Sequence, residues 1–238
     1  MSIIFQNGVT IQGGIQMNFP SPVVTNGLRL YLDAADTTSY PGTGNTWYDL
    51  TSNHNDVVMQ NSGSISYTST GGGYFSTGSN GWFSNASGTN IPTGNSTYTL
   101  SVWVQLGPTW SSRGFISIGA FGVNNQSNAF RTSVTNNYFN YWWGNDLFGA
   151  STLSPATQWF NAVAKFDGTT RSIWINGVQV GSDTPVGHNV TTSAIQIAKT
   201  VGGEYLQGNI GQAMIYSLAL SGDEINNNYN LTRGRYGV

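Results

Sequence analysis

The chain contains no cysteine, and only 8% of its 238 residues are Asp, Glu, Lys or Arg. Without cysteine there are no disulfides and no thiolate nucleophiles; with only two histidines, His54 and His188, the usual Cys/His zinc frameworks are excluded as well. The scarcity of charge departs far from the roughly one quarter found in ordinary soluble domains, so solubility must come from Gly, Ser, Thr and Asn. Net charge is −2, and the eight basic residues are scattered from Arg29 to Arg235. They form no stripe able to neutralise several phosphates, which excludes electrostatic nucleic-acid binding. No apolar run approaches the roughly 20 residues of a membrane-spanning helix. No Lys or Arg precedes Arg29, so the N-terminus lacks the basic region of a secretory signal.

What is present is β structure. Trp159 to Phe166 alternates apolar and polar, Asp167-Gly168 offers a turn, Arg171 to Asn176 alternates again, and Asn176-Gly177 is a strong hairpin signal because both residues accept positive φ. Leu28, Leu30 and Leu32 alternate with Arg29 and Tyr31, which predicts a half-buried strand. Further strands are predicted at Tyr74 to Phe75, Tyr98 to Gln105, Phe115 to Phe121, Ala129 to Val134, Tyr138 to Trp143, Ala194 to Lys199 and Ile210 to Leu218. Short spacings and frequent turn residues point to a sandwich or barrel. Ser221, with Glu224 three positions on, spells a capping box and predicts a short helix from Gly222 or Asp223.

Three passages carry a family resemblance. WFNAVAKFDGTTRSIWINGVQVGS (159–182) is similar to the signature W-x-x-V-A-x-x-(F/Y)-D-G of laminin G-like, concanavalin A-like sandwiches. GLRLYLDAADTTSYPGTGNTWYDLTSNHND, from Gly27, resembles an opening of such domains in phage and environmental bacterial proteins. GNIGQAMIYSLALSGDEINNNY (208–229) resembles their closing strand and helix, with Gln212 and Ala213 in place of the family's acidic pair. The resemblance spans about residues 27 to 230. It implies an all-β fold: a two-sheet antiparallel β-sandwich of jelly-roll, concanavalin A-like type with one short C-terminal helix.

Residues 1–22 read as a separate β-prone arm and residues 23–238 as the sandwich domain. Such Gly/Ile/Thr-patterned leaders resemble those of phage structural proteins. Together with the charge-poor composition and the missing signal, this leads us to expect a virion or extracellular location. The expected function is a non-enzymatic bacteriophage virion protein, either capsid decoration or part of a tail fibre, whose lectin-like domain adheres to host-surface glycans. The arm would join it to other virion proteins or to further copies of itself. The alternative is a secreted carbohydrate-binding module, with a glycan-active enzyme third.

The chemistry of the chain is sparse. Related glucanases carry their acids in an E-x-D-x-x-E run on one strand, but here Glu204 and Glu224 are the sole glutamates and no such run exists. His54 and His188 sit in Asn/Gly loops outside any nucleophile elbow and are expected to be exposed. The best binding candidate is the cluster Tyr138 to Trp143, followed by Gly144-Asn145-Asp146. Alternation places Tyr138, Asn140 and Trp142 on one side and Phe139, Tyr141 and Trp143 on the other. One row must be core. If the other lines the binding surface, Tyr138 and Trp142 could meet a sugar ring, with Asn145 and Asp146 hydrogen-bonding it; alternatively, both rows simply pack. Trp110 and Arg113 form a second candidate surface site or a loop anchor. The resemblance also raises calcium as a cofactor, with Asp33, Asp36, Asp49, Asp56, Asp146 and Asp183 available. No D-x-D-x-D-G loop is written, and Asp33 and Asp36 read as turn caps.

Overall fold

The computed structural model describes residues 23–107, 112–133, 137–150 and 158–238, and of the arm only the backbone pairing of residues 10–11 with 15–16. That pairing joins β1 (Thr10–Ile11) and β2 (Ile15–Gln16). The sandwich then runs β3 (Leu28–Asp33), β4 (Thr46–Trp47), β5 (Val57–Gln60), β6 (Ile65–Thr68), β7 (Tyr74–Thr77), β8 (Trp82–Asn85), β9 (Tyr98–Leu106), β10 (Gly114–Gly119) and β11 (Ser127–Thr132). It continues with β12 (Asn137–Tyr141), β13 (Asp146–Ala150), β14 (Trp159–Phe166), β15 (Arg171–Ile175), β16 (Val178–Asp183), β17 (Ile195–Ile197), β18 (Gly208–Tyr216) and α1 (Gly222–Thr232).

Two antiparallel sheets face each other. The first has the order β13-β12-β11-β10-β17-β8-β5-β4; the second has β16-β15-β14-β9-β18-β7-β6, with β3 also paired to β18. The long strand β18 splits its free edge, giving Asn209 and Ile210 to β7 and Gln212 to Tyr216 to β3. This is the all-β sandwich with one short C-terminal helix expected from the sequence.

Local signals act where they were read. Asn176 and Gly177 adopt φ of 50° and 78°, turning β15 into β16. Asp167 Oδ1 accepts the amides of Thr169 and Thr170 and closes the preceding turn. Ser221 and Glu224 exchange reciprocal bonds at the start of α1. At one side of the sandwich the edge strands β13 and β16 meet closely. A Cβ on Gly181 would lie 2.8 Å from the Phe148 carbonyl oxygen, so only glycine permits this approach.

The core lies between the sheets, where alternate residues such as Leu100, Val102 and Val104 of β9 meet Ile116, Ile118, Phe130, Ile195 and Ile197. The outer face of the second sheet is buried too. Helix α1 sets Ile225 against Val163, Met214 and Tyr216, and the turn Arg233–Tyr236 lays Tyr236 on Trp103 with ring centroids 4.4 Å apart. One outer face is therefore closed by the C-terminal segment. The other presents its own side chains.

Candidate functional site

On the outer face of the first sheet, strand register builds a row Asp146–Tyr141–Ala129–Ser117–Gln196–Ser84–Val58, one residue from each of seven successive strands. Ala129 and Ser117 are small and fully covered, forming a floor. Beside them Arg131 lies 5.0 Å from the Phe139 ring centre and 5.1 Å from that of Tyr141, and it pairs with Glu204 at 3.3 Å. Glu204 also accepts the Thr200 hydroxyl, which fixes the turn after β17. On the far side of that turn Lys199 stands 3.8 Å from the Trp82 ring centre and 5.2 Å from that of Tyr205. The result is a strip in which Tyr141, Trp82 and Tyr205 are partly exposed and Phe139 is buried, each ring packed against a cation. Where Arg or Lys rests on a ring, rotamer freedom is reduced before any ligand arrives.

Aromatic surface continues at the rim. Phe121 and Phe148 are 56% and 55% exposed, Phe121 packs edge-on against Trp143, and Trp143 packs in the same way against Tyr141. Burial, then the nearby carboxylates of Asp146 and Glu204, pushes the Tyr141 hydroxyl up to about 12, so it donates hydrogen bonds as a neutral phenol. Desolvation lowers the Lys199 ammonium below its ordinary value and raises the Asp146 carboxyl above its own.

The two rows of the β12 aromatics are inverted relative to the sequence-based assignment of the binding row. Tyr138 and Trp142 are fully buried between the sheets. Trp142 donates through Nε1 to the Tyr98 hydroxyl at 3.0 Å, has the Arg171 guanidinium 4.2 Å from its ring centre, and carries the imidazole of His188 at 4.0 Å. It cannot stack on a sugar in this arrangement. Phe139, Tyr141 and Trp143 hold the outward positions instead.

Asn145 and Asp146 sit at the rim and bind protein groups. Asn145 donates to the Val186 carbonyl and its own carbonyl accepts from Arg171, while Asp146 Oδ1 accepts the Trp142 amide. Arg113, read from the sequence as either a surface site or a loop anchor, is buried; its amide donates to Thr132 Oγ1 and its carbonyl accepts the Thr132 amide. Trp110 lies outside the described residues. His188 is likewise buried, not exposed as expected, whereas His54 is exposed in a loop at φ 52°. Trp82, Lys199, Glu204 and Tyr205 were not singled out as binding residues, because the strip that unites them joins strands distant in sequence.

The aspartates that the resemblance offers to calcium are occupied within the protein. Asp33 Oδ1 and Asp36 Oδ1 accept amides two residues on, as turn caps do. Asp49 accepts the amides of Tyr31, Thr51 and Asn55 together with the Thr51 hydroxyl, Asp56 accepts the Asp49 amide, and Asp183 grips Arg171 through both oxygens. Among the described residues no three His, Cys, Asp or Glu side chains gather as a metal-binding group.

The profile of the concanavalin A-like lectin/glucanases superfamily matches residues 77–226, more than half of the chain. The chain belongs to this superfamily. Solved structures agree on the concanavalin A-like fold. Trypanosoma rangeli sialidase aligns with TM-score 0.63 at 14% identity, over 89% of this chain and 35% of that one. The binding domain of Paraclostridial mosquitocidal protein 1 aligns with TM-score 0.63 at 15% identity over 86% and 52%. Domain 4 of an extracellular arabinanase from Geobacillus stearothermophilus, solved with arabinotriose, aligns with TM-score 0.58 at 15% identity over 85% and 98%. This chain thus spans about a third of the sialidase and half of the toxin binding domain. No curated protein sequence matches it.

Proposed function

We propose that this member of the superfamily is a non-enzymatic glycan-adhesion domain whose binding surface is the outer face of the first sheet. The observation that carries this reading is the strip Phe148–Phe139–Arg131–Glu204–Lys199–Trp82, in which exposed Phe148 at one end and partly exposed Trp82 at the other flank three charged, hydrogen-bonding side chains. A sugar offers C–H patches to aromatic rings and hydroxyls to side-chain donors and acceptors, and the strip supplies both. The arabinotriose bound to the arabinanase domain of similar fold supports the saccharide class. Absence of catalysis is supported by the engagement of the carboxylates: Glu204 is committed to Arg131 and Thr200, and Glu224 caps α1 on the opposite side of the molecule.

Trp82→Ala and Tyr141→Ala should each keep the melting temperature within a few degrees of wild type and lower glycan-array binding at least about tenfold. Undiminished binding by both variants defeats the assignment of this face. Release of sugar from any array-positive polysaccharide defeats the non-enzymatic part.

The setting we infer is the outside of a phage particle, as capsid decoration or tail fibre, with residues 1–22 joining it to other virion proteins. The reading is supported by the low charge and neutral polar composition. Mass spectrometry of purified particles should find the chain in stoichiometric amount. A saccharide-binding monomer absent from particles would instead be a secreted lectin.

A further inference from the structure

A second site stands on the other side of the sandwich, around Arg29 of β3. Its side chain separates two clefts, one running toward Asn90, Asn95 and Thr97, the other toward Leu50, Thr51 and Asn53. Asn90 donates to Asn53 Oδ1 at 2.9 Å and ties the walls together.

The guanidinium is anchored at its root. Arg29 Nε donates to Ser217 Oγ at 3.0 Å, and that hydroxyl donates to the Gly27 carbonyl at 3.3 Å. The Arg29 carbonyl accepts Asn55 Nδ2 at 2.7 Å. Among the described residues Arg29 makes no ion pair, and its terminal nitrogens Nη1 and Nη2 meet no protein acceptor. No acid lines the cleft toward Asn90. In the other cleft the sole acid is Asp36, whose carboxylate already accepts the Thr38 amide. In a chain so poor in charge, this is an oriented cation without a counter-charge.

We propose that the Arg29 cleft binds the carboxylate of an acidic sugar. The paired Nη donors form a planar fork that matches two carboxylate oxygens. One guanidinium balances the single charge of a carboxylate, whereas a phosphate monoester brings nearly two charges and would find no second cation in the lining. The amide and hydroxyl side chains of Asn90, Asn95 and Thr97 suit ring hydroxyls. The site is separate from the aromatic strip and does not depend on it.

The test is a titration of full-length protein by NMR, following the arginine Nε–H resonance that disappears in Arg29→Gln. Glucuronic acid at millimolar concentration should shift it saturably, and glucose should not. Followed instead at the side-chain amide of Asn90, which lines the same cleft, Arg29→Gln should weaken glucuronate binding about tenfold or more, the scale expected for charge-assisted hydrogen bonds. Arg29→Lys should recover only part of it, and Arg233→Gln, a cation that lines neither cleft, should bind as wild type does. The proposal is overturned if glucuronate causes no shift, if glucose or inorganic phosphate shifts the resonance as strongly, or if Arg29→Gln binds glucuronate unchanged. Loss of binding in Trp82→Ala alone would relocate the acidic sugar to the aromatic strip and likewise overturn it.

Discussion

His188 lies against Trp142 inside the sandwich, ring centroids 4.0 Å apart and planes inclined by 20°. Burial, and then the positive charge of Arg171, depresses the imidazole to about 4, and neither ring nitrogen has a hydrogen-bond partner. The protonated form is therefore excluded from the fold over much of the acidic range.

A pH dependence follows from that exclusion. Between the ordinary histidine value near 6.5 and the depressed value near 4, the unfolded chain binds a proton that the folded chain does not. Stability should fall as pH drops through this window, by about 3 kcal/mol in all. Urea midpoints of wild type and His188→Phe, compared from pH 7 to pH 4.5, should converge on acidification if the variant is the less stable at neutrality, or diverge in its favour if it is not. Parallel curves would show that His188 carries none of the acid sensitivity.

Trp142 and Trp82 should behave oppositely although both are tryptophans on strands of one sheet or beside them. Trp142→Ala removes a fully buried ring together with its Nε1 hydrogen bond to the Tyr98 hydroxyl and its face against the Arg171 guanidinium. A loss of about 3–5 kcal/mol is expected by chemical denaturation. Trp82→Ala should cost little stability and remove binding. A Trp142→Ala protein that melts normally would refute the interior placement.

Gln212 is buried on β18 beside Asp33. Its Nε2 donates at 3.1 Å to Asp33 Oδ2, the same oxygen that pairs with Arg235 at 2.9 Å. Gln212→Glu would replace a buried donor by a like charge, with an expected loss of about 1–3 kcal/mol at neutral pH. Calorimetry at pH 7 and pH 4.5 should show the deficit shrinking as a carboxyl is protonated.

Gly177 tests the hairpin. Its φ is 78°, and a Cβ there would come within 2.2 Å of Asn226 Oδ1, the end of a side chain on α1. Gly177→Ala should lose about 1–2 kcal/mol from backbone strain alone. Gly234→Ala, where a Cβ would meet nothing within 4 Å, should be close to neutral. Equal melting temperatures for both would contradict the turn geometry.

Most of the longer strands, the turns at Asp167-Gly168 and Asn176-Gly177, and the capped helix were legible because each is decided by a few neighbouring residues, whereas β4, β5, β6, β8 and β13 are too short to show a period and were not read. Period-two alternation marked an inward and an outward row in Tyr138 to Trp143, but alternation has no sign. Both rows are aromatic, so hydrophobicity could not choose between them; only the opposing sheet, which brings Tyr98 and Arg171 to Trp142, and the connection after β16, which brings His188, decide that Trp142 is interior and Tyr141 exterior. The same holds for both candidate sites. Trp82, Arg131, Lys199 and Glu204, like Arg29 with Asn90 and Ser217, become neighbours through the strand order of the folded sandwich, since pairing between distant strands is what sets their distances.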